Sequence, residues 1–194
     1  DTGKLRAAPK ALAQAAWLTL SKAISAIFTA NSGAGPTLSS DAKALFHIDH
    51  GNLGATALSF SAWEATRKLM RQQTELSSGE RLGALTAPRY LLVPSDLEIS
   101  ALQILMSAYE PGQANWDENP LSEGNTRNER LAYARERIIV VDLWTDTNNW
   151  AASADPRLWP TIGIGYRYGR APEVFSVASP TAGLMFTNDT MPVK

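Results

Sequence analysis

Ala44-Leu45-Phe46-His47-Ile48-Asp49-His50-Gly51-Asn52-Leu53 holds both histidines of a 194-residue chain. The apolar run Ala44–Ile48 suits a short buried strand, and Asp49-His50-Gly51-Asn52 is a turn by composition. Alternate strand residues share a face, so His47 and Asp49 would point the same way, with His50 opposed unless the chain turns. Histidine and carboxylate are good metal ligands, yet a catalytic zinc site needs a third protein ligand. The chain has no cysteine and no third histidine, so that ligand would have to be another carboxylate. A strand end with a hydrogen-bonded turn is the simpler reading. A hydrolase or metal-dependent enzyme using His47, Asp49 and His50 is the alternative, although no GxSxG nucleophile elbow accompanies them. On this reading no residue is assigned as catalytic, cofactor-binding or metal-binding.

Upstream, residues 4–31 read as one long amphipathic helix, with apolar side chains at three- and four-residue steps and abundant alanine between them. At 1.5 Å per residue it would be roughly 42 Å long. Asn31-Ser32-Gly33 should stop it, since Asn and Gly tolerate the left-handed backbone of a helix end. Trp17, Leu20, Ile24, Ile27 and Phe28 form its apolar stripe, which packs either on its own core or across a partner. Gln14, Thr19, Ser21, Lys22 and Ser25 interrupt residues 11–30, so no membrane span is expected.

Downstream, Ser61-Ala62-Trp63-Glu64 has the spacing of a capping box and predicts a helix to about Glu75. Arg89–Val93 reads as a strand ended by Pro94. Ser95-Asp96-Leu97-Glu98 repeats the capping spacing and opens a helix through Leu102, Leu105 and Met106. Residues 110–128 suit a long exposed loop in which Asp117, Glu118 and Glu123 are solvated. Ile138–Leu143 is the clearest buried strand; Trp150–Ala154, Thr161–Tyr168 and Glu173–Val177 follow, with Pro156–Pro160 as a link. Gly163-Ile164-Gly165 lies inside an apolar run rather than before a helix, which is the wrong place for a phosphate loop. Helices come early and strands late, so the fold class is α+β rather than alternating α/β.

Eighteen basic residues against 19 acidic ones leave a formal charge of −1, without the basic excess that gripping phosphates calls for. A hydrophobic fraction of 44% is ample for a core without staples. Six tryptophans supply anchors for core and interface alike.

The Ala44–Leu53 block resembles the corresponding block of tailed-phage major capsid proteins encoded in one frame with a ClpP-like prohead protease. The likeness continues through Pro88-Arg89-Tyr90-Leu91-Leu92-Val93-Pro94 and Trp150-Ala151-Ala152-Ser153-Ala154-Asp155-Pro156, and ends at Met191-Pro192-Val193-Lys194. Phe46, His47, Asp49, His50, Gly51 and Asn52 carry its most distinctive part and would be structural. The resemblance implies an α+β fold of the Hong Kong 97 (HK97) capsid type. Residues 1–33 would be a spine helix of a peripheral domain, 34–188 an axial domain with mixed sheet and flanking helices, and 189–194 the start of a returning strand. Both ends would then be cut from a longer protein. The implied role is a head protein fragment assembling with itself into pentamers and hexamers of an icosahedral phage or prophage head, not an enzyme. It would need no cofactor, work in the virion after assembly in the bacterial cytoplasm, and touch packaged DNA only non-specifically. Trp17, Leu20, Ile24, Ile27 and Phe28 are its candidate interface.

Overall fold

A computed structural model describes residues 2–75, 77–111 and 118–165. The chain divides into two compact units, Asp1–Ser21 with Ile164–Lys194 and Lys22–Gly163, and the boundary falls inside the first helix. That helix, α1, runs Thr2–Thr29. It ends where Asn31 and Ser32 turn to φ +50° and +56°, followed by Gly33 at +91°. The left-handed stop expected from Asn31-Ser32-Gly33 is therefore present. By length and composition Lys10–Gly33 could cross a membrane, contrary to the expectation from its polar interruptions. Alanine keeps the average high even where Lys22 and serines break the run.

In the second unit, α2 (Phe60–Arg71), β1 (Pro88–Val93), α3 (Glu98–Met106), α4 (Arg127–Arg137), β2 (Ile138–Val140) and β3 (Ala151–Ala154) follow in order. The strands form one sheet in the order β2-β1-β3. β1 runs parallel to β2, with Leu91 opposite Ile138, and antiparallel to β3, with Leu91 opposite Ala152. The parallel pair needs a crossover, which α3 and α4 provide. Period-two alternation sends Leu91 and Val93 fully into the core. There they join Phe60 and Trp63 of α2, Ala101, Ile104 and Leu105 of α3, Leu121, and Ala134 of α4. The α+β class stands.

Helix ends are closed by side chains from elsewhere. The Asn119 Nδ2 donates to Ile104 O (2.8 Å) and Ser107 O (3.0 Å), and Leu121 N donates to its Oδ1 (2.9 Å). Arg130 Nε donates to Met106 O at 3.2 Å. Together they satisfy carbonyls that the end of α3 leaves open. Thr86 Oγ1 does the same for Met70 O of α2 at 2.7 Å.

Several sequence expectations need correction. Ala44–Ile48 is not a strand: only Ala44 forms a bridge, to Thr37, and Ile48 begins a 3-10 turn, 71% exposed. The cap of α2 is Ser59, whose side chain accepts from Ala62 N at 3.1 Å, so Ser61 lies inside the helix. The helix also stops at Arg71, short of Glu75. Ser95 caps nothing by its side chain; it opens a 3-10 turn after Pro94, and α3 starts behind it. Proline's extended conformation sets that entry without a hydroxyl. The one complete capping box among the described residues is Thr126–Glu129, which opens α4 inside the supposed loop. Nor is that segment wholly exposed, since Asn119 and Leu121 are buried. β2 is three residues long, on the sheet edge, with Ile139 43% exposed, rather than a buried strand to Leu143. Residues 161–165 are exposed and form no strand. The remainder of Thr161–Tyr168, Glu173–Val177 and the closing Met191–Lys194 lie outside the described residues.

Candidate functional site

The motif stretch folds into a cross-braced turn. His47 is extended, and its Nδ1 accepts from Asp49 N at 3.2 Å, capping the 3-10 turn Ile48–His50. Gly51, at φ +61°, closes that turn in the left-handed region where an L side chain is strained. Gln73 Nε2, just beyond α2, donates to Gly51 O at 2.8 Å and fixes the turn to the helix end. Asn52 spans the turn's mouth: His47 N donates to its Oδ1 (2.9 Å), and its Nδ2 donates to Leu45 O (2.8 Å).

The preceding loop folds back to supply charges. Lys43 Nζ donates to Asp49 Oδ2 at 2.6 Å. His50 meets Asp41 Oδ2 through Nε2 at 2.7 Å and Leu45 O through Nδ1 at 3.1 Å. The hydrogen bond to Asp41 holds the His50 pKa above its ordinary value, and the same bond holds the Asp41 carboxyl below its own. Lys43 likewise draws Asp49 down, and Asp49 draws Lys43 up. Asp41 and Lys43 escaped the sequence reading. They lie nine and six positions before their partners, outside the motif, and only the return of the loop through the Thr37–Ala44 bridge brings them in.

Phe46 faces the other way. Its ring stacks on Phe28 at 5.8 Å, and Phe28 meets Trp144 at 5.5 Å. Phe46 N donates to Ala34 O, Leu45 N to Pro36 O and Gly35 N to Ala30 O, each at 2.9 Å. Gly35, at φ +77°, permits the close approach: a Cβ there would sit 2.9 Å from Leu45 Cβ and 3.0 Å from Ile27 O. The six motif residues are therefore brought together, and through Phe46 they seat the last turns of α1.

The stripe of α1 is graded. Phe28 is buried, Leu20, Ile24 and Ile27 are half-buried, and Trp17 is 66% exposed, with Leu12 and Leu18 also exposed. A separate groove carries Arg67, Arg89, Glu123, Tyr133, Arg137 and Asp155. Arg137 lies over the Tyr133 ring at 3.7 Å, a cation–π contact, and Arg89 Nε stands 3.5 Å from Asp155 Oδ2. Burial pushes the Tyr133 phenol up. Among the described residues, no group of three His, Asp or Glu converges to hold a metal. The chemistry of the motif turn is ion pairing and hydrogen bonding within the chain.

The family model described as phage capsid protein matches residues 1–194, the whole chain. The chain belongs to the phage capsid protein family. No curated protein and no solved structure matches it. A phage capsid protein has a structural role in the virion shell, where it associates with its own kind. The alternative, an enzyme built on His47, Asp49 and His50, gains no support: His47 Nδ1 accepts from Asp49 N, and the Asp49 carboxylate pairs with Lys43 of the preceding loop.

Proposed function

We propose that this capsid protein is a major head protein of the HK97 type, assembling into pentamers and hexamers of an icosahedral phage or prophage head. In this reading α1 is the spine helix, 34–188 make up the axial domain, and 189–194 begin a returning strand. The resemblance of Ala44–Leu53 and its companion blocks supports the type and the pairing with a prohead protease in one reading frame. Assembly belongs in the bacterial cytoplasm, and contact with packaged DNA is non-specific, in keeping with a formal charge of −1.

The observation that carries the self-assembly reading is the exposed Trp17 end of the α1 stripe. Trp17 is 66% exposed, and Leu20, Ile24 and Ile27 on the same face are half-buried. Covering a large apolar side chain is favourable by roughly 1.5–3 kcal/mol, so the uncovered Trp17 end of the stripe favours association. Trp17, Leu20, Ile24 and Ile27 are the interface residues of the proposal, while Phe28 anchors their helix from within. Rings of five and six arise from head-to-tail contacts that close. Negative-stain microscopy of the concentrated chain tests this directly. Class averages with fivefold or sixfold rings are expected; isologous dimers alone would defeat the capsomer reading.

A further inference from the structure

We propose that Asp41 and His50 form a pH-operated latch, which grips the 36–46 loop while the His50 ring is doubly protonated and releases it when the ring loses a proton. Both ring nitrogens face oxygens that can only accept: Leu45 O lies 3.1 Å from Nδ1, and Asp41 Oδ2 lies 2.7 Å from Nε2. A neutral imidazole has a single N–H, so only the imidazolium can donate to both. Deprotonation at Nε2 would set a lone pair against a carboxylate. Deprotonation at Nδ1 would set one against Leu45 O, leaving that carbonyl to the Asn52 amide alone. The side chains of His50 and Asp41 are 23% and 36% exposed, so protons reach the pair from solvent.

The charged groups around His50 act in opposite directions, and the balance favours the imidazolium. Asp41 favours the imidazolium and Lys43 opposes it, both from the loop; Asp41 prevails. From the same turn, Asp49 feels the charge of His50, and the His47 ring lies 5.8 Å away with its Nδ1 accepting from Asp49 N. The neighbour from α2's end, Gln73, is uncharged and bonds to Gly51 O. His50 is therefore raised above 6.5, so its contribution is complete below that value and is lost as pH rises through the folded pKa. Asp41 is lowered below 3.8, so its contribution is complete above that value and is lost as pH falls through its own folded pKa. Near neutrality the latch opens on the alkaline side.

What the latch grips is specific. Leu45 and Phe46 lie between Asp41 and His50, and their amides bond to Pro36 O and Ala34 O while Phe46 stacks on Phe28. An open latch loosens the segment on which the last turns of α1 rest.

The test follows the two histidines of the full chain by long-range proton–nitrogen correlation from about pH 5 to pH 9. Exchange of the Phe46 and Gly35 amides, corrected for intrinsic rates, is followed in parallel. His50 is expected to keep both ring protons past 6.5, its ordinary midpoint, and amide protection to fall as it titrates. In Asp41→Asn the His50 midpoint should shift downward, and the loss of protection should move with it. A wild-type His50 that titrates at or below 6.5 would overturn the proposal. So would Phe46 protection that stays constant through the titration. Both readings come from the wild-type chain, so they decide even where Asp41→Asn folds poorly.

Discussion

Asn119 shows how much one polar side chain can hold. It is 5% exposed and makes contacts to Ile104 O, Ser107 O and Leu121 N, joining the end of α3 to the chain that leads into α4. Asn119→Ala strands buried acceptors, each costing about 1–3 kcal/mol, and a urea melt should show a loss of about 2 kcal/mol or more. An unchanged midpoint would mean that water replaces the amide without cost. Gly35 is constrained by space as well as by φ, so Gly35→Ala should lower the melting temperature where Gly79→Ala, with nothing within 4 Å, brings only the backbone strain of its own positive φ. Equal losses at the two sites would refute the close-approach argument. Glu75 accepts from Ser77 N, Ser77 Oγ and Ser78 N, which holds its carboxyl at about 2 against an ordinary 4.5. Its folded pKa is depressed, so its contribution is present above 4.5 and lost as pH falls through about 2. Carboxyl carbon shifts of Glu75 that still report the anion at pH 3 are expected; an ordinary titration near 4.5 would contradict the loop geometry.

At the scale of elements, the caps separate what the residue pattern specifies from what packing decides. Ser59, Ser61 and Ser95 are all serines ahead of an apolar stretch, and only Ser59 accepts from a helix amide. Ser59→Ala and Thr126→Ala should each cost about 1 kcal/mol, while Ser61→Ala should shift the urea midpoint little; the reverse ranking would move the start of α2. The long helix, its Asn-Ser-Gly stop and β1 were legible because each rests on local signals: periodicity, left-handed residues, and an apolar run holding Tyr90 and Val93 that Pro94 ends. Ala44–Ile48 misled because apolar residues there serve two different ends, Phe46 going to Phe28 while Ile48 faces solvent. Helix α4 was hidden because its polar composition gives almost no apolar stripe. Its Thr126 and Glu129 spacing was the available signal, and it straddled the end of the 110–128 segment read as loop. At the motif, the turn around Asp49, His50 and Gly51 was legible, but the Asp41 and Lys43 partners depend on chain reversal, which spacing alone does not encode.

For the whole molecule, a member of a shell-protein family carries a first helix that leaves Trp17 66% exposed. The core of the Lys22–Gly163 unit gathers around β1, and removing its centre should be severe. Leu91→Ala, at a fully buried side chain, should cost about 2–5 kcal/mol in a urea melt. Trp17→Asp, at a side chain 66% exposed, should leave that stability within about 0.5 kcal/mol. The contrast matters because association and folding are then read from different residues. Sedimentation velocity across a concentration series, on the wild-type chain and on Trp17→Asp, is the most direct test of self-assembly through α1. The wild type should form concentration-dependent oligomers, and Trp17→Asp should shift them toward monomer with its melt unchanged. A wild-type chain that sediments as a monomer at every concentration, indistinguishable from the variant, would contradict the account.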